Sequence, residues 1–242
     1  MGKRILKKTL DSVRQYINEC VYDPGIFKAF FLAGGPGSGK SFVTQSAFAG
    51  TGLKLVNSDV KFERDLRKMG MSMKMPDEEA YFRDMIRRDA KKVTEKQLDS
   101  YLKGRLGVII DSTGRDYGII SRQVNMLKHI GYDCYMVFVN TSLNVALERN
   151  KIRERQVPEY ITKKSWQKVQ LNMGAFQRVF GPAKMLIVDN SRSDKELVTT
   201  TLSTAARFIR SRLRTKPENR TAMAWIKREL ELKKRKWDLK ST

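Results

Sequence analysis

Residues 34 to 41 read Gly34-Gly35-Pro36-Gly37-Ser38-Gly39-Lys40-Ser41, the full G-x-x-x-x-G-K-[ST] pattern. Glycines in such a loop let successive backbone N–H groups turn toward one anion, and the helix that follows adds its positive end. A lysine inside the loop contributes a full charge, and a hydroxyl in the first helical turn can hold magnesium or order its waters. The pattern therefore implies a site for the phosphates of ATP with Mg2+, built from Gly35, Pro36, Gly37, Ser38, Gly39, Lys40, Ser41 and the adjoining Phe42. Lys40 is expected to reach the β and γ oxygens, and Ser41 to serve the metal.

Two carboxylates stand where such a site needs them. Val108-Ile109-Ile110-Asp111 is an apolar run that delivers one acid to the carboxyl edge of a sheet, so Asp111 fits a magnesium-binding role beside Ser41. Ser112 follows it, where helicases and motor ATPases place a water-activating glutamate, which speaks against hydrolysis as the main activity. Guanine selection is unsupported too, because Asn150-Lys151-Ile152-Arg153 has Arg where an N-K-x-D motif needs Asp. Asp59, in Val56-Asn57-Ser58-Asp59, is the candidate general base: it can orient an acceptor hydroxyl toward the γ-phosphate and take its proton. In isolation an Asp at this point reads more readily as the N-cap of a helix beginning at Val60, and the phosphate loop nearby turns the preference to catalysis.

Three arginines, Arg149, Arg153 and Arg155, converge where a helical stretch gives way to Val157-Pro158, a lid-like position from which guanidinium groups could clamp a transferring phosphoryl. Interleaved Glu148 and Glu154 support the plainer reading of a solvated charged helix. Thr113 and Arg115, in the polar loop after Asp111, are candidates for touching the acceptor, and Asn190 for contacting adenine. His129, the sole histidine, has no part in this chemistry.

These residues need elements to hold them. Strand-like runs at 26–33, 53–57, 107–111, 134–140 and 185–189 alternate with charged, helix-patterned stretches, which predicts a parallel five-stranded sheet flanked by helices, the α/β P-loop NTPase architecture. Two helical segments, Asp77 to Lys103 and Pro158 to Phe180, exceed what a crossover needs and read as pieces that close over substrates. The division expected is an N-terminal helix over 1–25, a P-loop domain over 26–214 with a helical lid, and a basic amphipathic helix over 215–242. Met223, Ile226, Leu230 and Trp237 form the apolar stripe of that last helix. It could dock on its own domain or serve as a polyanion-binding arm.

Bulk properties narrow the function. No apolar run is long enough to span a membrane and the amino end carries no signal-peptide pattern, so a cytoplasmic location is expected. Cys20 and Cys134 form no Cys-x-x-Cys pair, which argues against a disulfide framework or zinc site. The formal charge is +22, and residues 207–242 carry 13 Lys or Arg against 4 Asp or Glu, a local +9. Nucleic acid becomes a plausible partner, though a solubilising surface explains the charge as well.

The P-loop, Asn57-Ser58-Asp59 after the second strand and the arginine-rich stretch ending in Val157-Pro158-Glu159 together resemble the zeta-toxin and polynucleotide-kinase-like P-loop kinases over residues 26 to 191, phage-encoded members most of all. For a phage protein the location would be the host cytoplasm. The resemblance implies a kinase fold and phosphoryl transfer from ATP to a hydroxyl, with Lys40 and Ser41 at the phosphates and magnesium, Asp59 as acceptor base and the three arginines in the lid. Asp59 is followed by Val60-Lys61-Phe62-Glu63, without the arginine that polynucleotide kinases commonly place there, and nothing reads as a sugar pocket. The acceptor class therefore stays open among a small molecule, a nucleotide derivative and a nucleic-acid 5′-hydroxyl. An ATP-binding, nucleic-acid-binding module without turnover is the competing reading.

Overall fold

In the computed structural model, which describes residues 20–191 and 195–238, five parallel strands form one sheet in the order β2-β3-β1-β4-β5. The strands are β1 Lys28–Ala33, β2 Lys54–Val56, β3 Val108–Asp111, β4 Asp133–Asn140 and β5 Met185–Asp189. All five runs read from the sequence are strands, although Ile26 and Phe27 belong to the turn before β1. The helix expected near the amino end lies outside the described residues.

The central strand explains the layering. Every residue of β1 is buried, and its side chains alternate between two cores. Phe31 and Ala33 join Ile110, Met136 and Phe138 under helices α4 (Tyr117–His129) and α6 (Glu159–Phe180). Phe30 and Leu32 join Ile109, Tyr135 and Val137 under α1 (Lys40–Ala47) and α7 (Lys195–Arg214). A sheet covered on both faces leaves its carboxyl edge as the place where polar groups can gather. A third, smaller core of Phe62, Leu66, Ile86 and Ala90 joins α2 (Ser58–Lys68) to α3 (Ala80–Lys103), with Met71, Met73 and Met75 against it. The long segment from Asp77 thus begins as a single 3-10 turn, Asp77–Glu79, and becomes α3.

The opposite, amino edge of the sheet receives the tail. Lys28 is fully buried with its ammonium 3.0 Å from Asp133 Oδ2, and burial pulls the lysine below its ordinary range despite that partner. The Glu218 backbone N–H donates to the same carboxylate oxygen at 2.8 Å, and Lys28 donates to the Lys216 carbonyl at 3.4 Å. From there α8 (Arg220–Asp238) runs back over the β1 and β4 entry. Ala222 is fully buried, and the Trp225 ring meets Phe27 edge-on at 5.6 Å with the Arg105 guanidinium 4.3 Å from its other side. The apolar stripe is therefore shifted from the one in the sequence. Ala222 and Trp225 dock beside Ile226, whereas Met223 is 47% exposed. Glu218, two residues before the helix, is the point at which the tail is held on Asp133. Trp237 has its side chain outside the described residues.

Because Asp133 holds both Lys28 and the tail's entry, Asp133→Ala should cost about 3 to 5 kcal/mol in urea unfolding, the usual effect of stranding a buried charge. Removal of 215–242 should lower the melting temperature as well, since it uncovers Phe27. A variant within about 0.5 kcal/mol of wild type, on the scale of ordinary surface changes, would mean that the pair does not anchor the tail.

Candidate active site

The phosphate loop leaves β1 at Ala33 and enters α1 at Lys40. Gly37 and Gly39 have positive φ of 76° and 89°, conformations that favour glycine. At Gly37 a Cβ would also lie 2.2 Å from the Ala146 carbonyl oxygen, main chain of helix α5 (Leu143–Ile152), so no side chain fits. The loop is braced from outside. The Asn190 amide donates to the Ser38 carbonyl at 2.8 Å, Arg149 Nη1 donates to the Asn190 carbonyl at 2.8 Å, and the Trp166 indole, fixed on the Thr141 carbonyl at 2.7 Å, belongs to a helix whose backbone lies against Gly35. Within it the Lys40 ammonium donates to the Gly34 carbonyl at 2.6 Å. The Ser38 hydroxyl is buried with no hydrogen-bond partner among the described residues. A glycine cradle, an inward lysine and an orphaned hydroxyl fit the phosphates of a nucleotide. Ser41 and Phe42 follow in the first turn of α1, both exposed.

Two carboxylates share the edge with Lys40. Burial pushes the Lys40 ammonium down, and Asp111 and Asp59 oppose that. Asp111 is pushed up by its own burial, against the pull of Lys40, and it accepts a hydrogen bond from the Asn57 amide at 2.7 Å. Asn57 also caps α2: its side-chain oxygen accepts from the Asp59 N–H at 2.7 Å. The capping role open to Asp59 in the sequence therefore belongs to Asn57, and the Asp59 carboxylate projects from the first turn. Two guanidiniums grip it, Arg87 of α3 on Oδ1 and Arg155 on Oδ2 at 3.0 Å. Burial alone would raise Asp59, yet Arg87 and Arg155 together hold it below the ordinary carboxylate range.

The three lid arginines do not converge on one point. Arg149 braces Asn190 behind the loop. Arg155, buried, bridges Asp59 and Glu63, the latter at 2.6 Å. Arg153 closes α5, and its charge is felt at Lys40 and Asp111. The connection is itself fastened: the Asn150 side chain bonds the Val157 carbonyl and N–H, the Gln156 N–H donates to the Met73 carbonyl, and Arg67 pairs with Glu154 at 2.8 Å. Asn190 spends its amide on the loop. Thr113 accepts from the Arg115 N–H, and its carbonyl accepts from the Gly34 N–H at 3.1 Å, so that loop steadies the start of the phosphate loop. The Arg115 side chain lies along a separate cleft. Arg87 and Glu63 are absent from the functional residues that the sequence singled out, and Asn57 stood there only within Asn57-Ser58-Asp59, without a role of its own. Asn57 carried a signal, as a capping residue one position before the helix. Arg87 carried none, because its partner lies 28 positions away on another helix.

The sequence from 30 to 175, more than half of the chain, matches the model of the AAA domain family. No curated protein matches. Among solved structures, the AvrRxo1-ORF1:-ORF2 complex with ATP aligns over 92% of this chain and 88% of its own at 14% identity and a TM-score of 0.54, a likeness of fold. A gluconokinase from Sinorhizobium meliloti aligns over 77% and 95% at 18% identity with a TM-score of 0.46. The PezAT toxin–antitoxin system of Streptococcus pneumoniae aligns over 77% and 87% at 14% identity with a TM-score of 0.47.

If the cradle holds phosphates, Lys40→Ala should weaken binding of magnesium-ATP by roughly 10- to 150-fold, the worth of a hydrogen bond to a charged group. Titration calorimetry reads this directly, and unchanged affinity would move the nucleotide site elsewhere.

Proposed function

The chain belongs to the AAA domain family, and from that membership together with the carboxylate beside its phosphate loop we propose that it is an ATP-dependent kinase that phosphorylates a hydroxyl acceptor. The observation that carries this reading is Asp59, a carboxylate released from helix capping by Asn57 and kept ionised by Arg87 and Arg155. A protein that only binds ATP has no use for such a group.

ATP would supply an electrophilic γ-phosphoryl, and a magnesium ion, when bound, would offset the negative charge of its phosphates. Ser41 and Asp111 are the residues suited to the metal, which commonly takes one or two carboxylates and completes its shell with phosphates and water. Lys40 and the loop N–H groups hold the phosphates. Arg153, whose charge already acts on Lys40 and Asp111, is placed to balance negative charge as the phosphoryl moves. Asp59 accepts the acceptor hydroxyl's hydrogen bond, aims its oxygen in line, and takes the proton as the new bond forms. A carboxylate held this low is a weak base. It suits a loose transition state, in which the hydroxyl becomes acidic only late. Arg87 and Arg155 fix where Asp59 points, and Arg149 and Asn190 fix the loop.

Asp59→Asn should leave ATP affinity nearly intact while lowering transfer by roughly 10² to 10⁴. Wild-type transfer in that variant would end the proposal. A pH profile gives a second reading. Removing a neighbouring cation withdraws support from the charged form, so in Arg87→Gln the acid limb of kcat/KM should move up toward the ordinary carboxylate range. An acid limb that stays in place would mean that Asp59 is not the titrating group.

A further inference from the structure

Asn57 lies between β2 and α2, and the sheet sets it beside Asp111. The two strands run parallel with Val56 opposite Ile110, so Asn57, just past β2, stands level with Asp111, the last residue of β3. Its backbone is extended, with φ −142° and ψ 112°. Its side chain works in two senses at once: the oxygen accepts from the Asp59 N–H at 2.7 Å, and the amide nitrogen donates to Asp111 Oδ2 at 2.7 Å. A flipped amide would set N–H against N–H at one end and oxygen against carboxylate oxygen at the other. The two partners together therefore dictate its orientation.

Capping α2 does not by itself require asparagine. Serine, threonine and aspartate cap as well, but aspartate has no donor, and a hydroxyl ends one atom short of the amide nitrogen. What asparagine adds is the bond to Asp111. Among the described residues no other hydrogen bond reaches that carboxylate, so Oδ2 is taken and Oδ1 is left. A carboxylate that ligates a cation is commonly oriented by a hydrogen bond of its own, and loss of such a partner typically costs about 10- to 100-fold in metal affinity. The same side chain starts α2, from whose first turn Asp59 projects. One residue thus spaces the carboxylate suited to magnesium from the carboxylate suited to the acceptor.

We propose that Asn57 is a positioning residue for the metal, holding Asp111 by Oδ2 so that Oδ1 is the oxygen offered to magnesium on the bound nucleotide. The inference rests on the magnesium role given to Asp111 in the kinase reading, but its test needs no phosphoryl transfer. The competing account is a residue that only caps α2.

The experiment measures, by titration calorimetry on the full chain, the binding of a non-hydrolysable ATP analogue in excess magnesium and in EDTA. The ratio of the two affinities is the factor by which magnesium strengthens binding, and a mere cap does not move it. Asn57→Ser keeps a capping oxygen without the amide, and Asn57→Ala loses both. Each should lower the magnesium factor by about tenfold or more while the affinity in EDTA stays close to wild type. Stability should separate them. Asn57→Ser should melt near wild type, and Asn57→Ala about 2 to 4 °C lower, the usual effect of a lost cap in a chain of this size. Asp111→Asn should lower the factor at least as far, and adding Asn57→Ser to it should change nothing more, because Asn57 acts through Asp111. A wild-type factor in Asn57→Ser overturns the proposal and leaves Asn57 a cap. So does an analogue that binds wild type no better with magnesium, or an Asn57→Ser effect that is undiminished in the Asp111→Asn background. The kinase reading fails separately, when the coupling is seen but no hydroxyl compound receives the γ-phosphate of ATP. Conversely, phosphoryl transfer together with a wild-type magnesium factor in Asn57→Ser keeps the kinase and removes the positioning role.

Discussion

Holding a poorly hydrated lysine in the first turn of α1, a short loop beyond a fully buried strand, is the constraint around which the carboxyl edge is built. Lys40 loses hydration within the phosphate loop, and that loss drives its ammonium toward neutrality. A phosphate-binding lysine is useful only when charged, so carboxylates have to stand near it. Asp111 and Asp59 do so, yet each added carboxylate in a desolvated place needs support of its own. Asp111 receives it from the Asn57 amide, and Asp59 from Arg87 and Arg155. The electrostatic chain then runs outward, through Arg155 to Glu63 and through Glu154 to Arg67, until it reaches groups that water can screen.

The other end of the sheet solves a similar problem for a different end. Lys28 and Asp133 are buried together, and their other partners are the Tyr135 hydroxyl and the Lys216 carbonyl for Lys28 and the Glu218 N–H and, at 4.0 Å, Lys184 for Asp133. That pair ties chain segments together. At the carboxyl edge the charged groups remain partly accessible and point toward one cradle. The two ends thus differ in accessibility and in partners, although each sets a poorly hydrated lysine near an aspartate.

Much of this was legible before the structure because it is local. The phosphate loop, Asp111 at a strand end and five apolar runs depend on short-range spacing, and each stands where the sequence put it. What the sequence left open depended on rotation and on distant partners. Whether Asn57 or Asp59 caps α2 is a matter of one residue, and both types are good caps; the structure assigns Asn57. Arg87 is one of several basic residues on α3, and only the packing of Phe62 and Leu66 against Ile86 and Ala90 turns it toward Asp59. The lid arginines looked convergent because they are close in sequence, but the helix end at Ile152 separates Arg149 from Arg153 and Arg155. Met223 is exposed because Ala222, Trp225 and Ile226 take the docked face of α8.

The excess of positive charge also divides along the sheet axis. At the amino edge α8 docks through Ala222 and Trp225, which leaves Lys227, Arg228, Lys234 and Arg235 exposed. Docking and a basic outer face are therefore compatible, and the two roles weighed for the tail do not compete for the same side chains. Arg115, Lys164 and Lys168 stand exposed on the loop after β3 and on α6, with their stems along a separate cleft. Charge spread over a solvated surface acts at a distance and is weakened by salt, whereas cations set on apolar stems in a cleft can exclude water and contact one anion directly. The exposed basic side chains of α8 are of the first kind, and docking through Ala222 and Trp225 takes none of them out of water, so the helix is fastened by its apolar residues without loss of that long-range field.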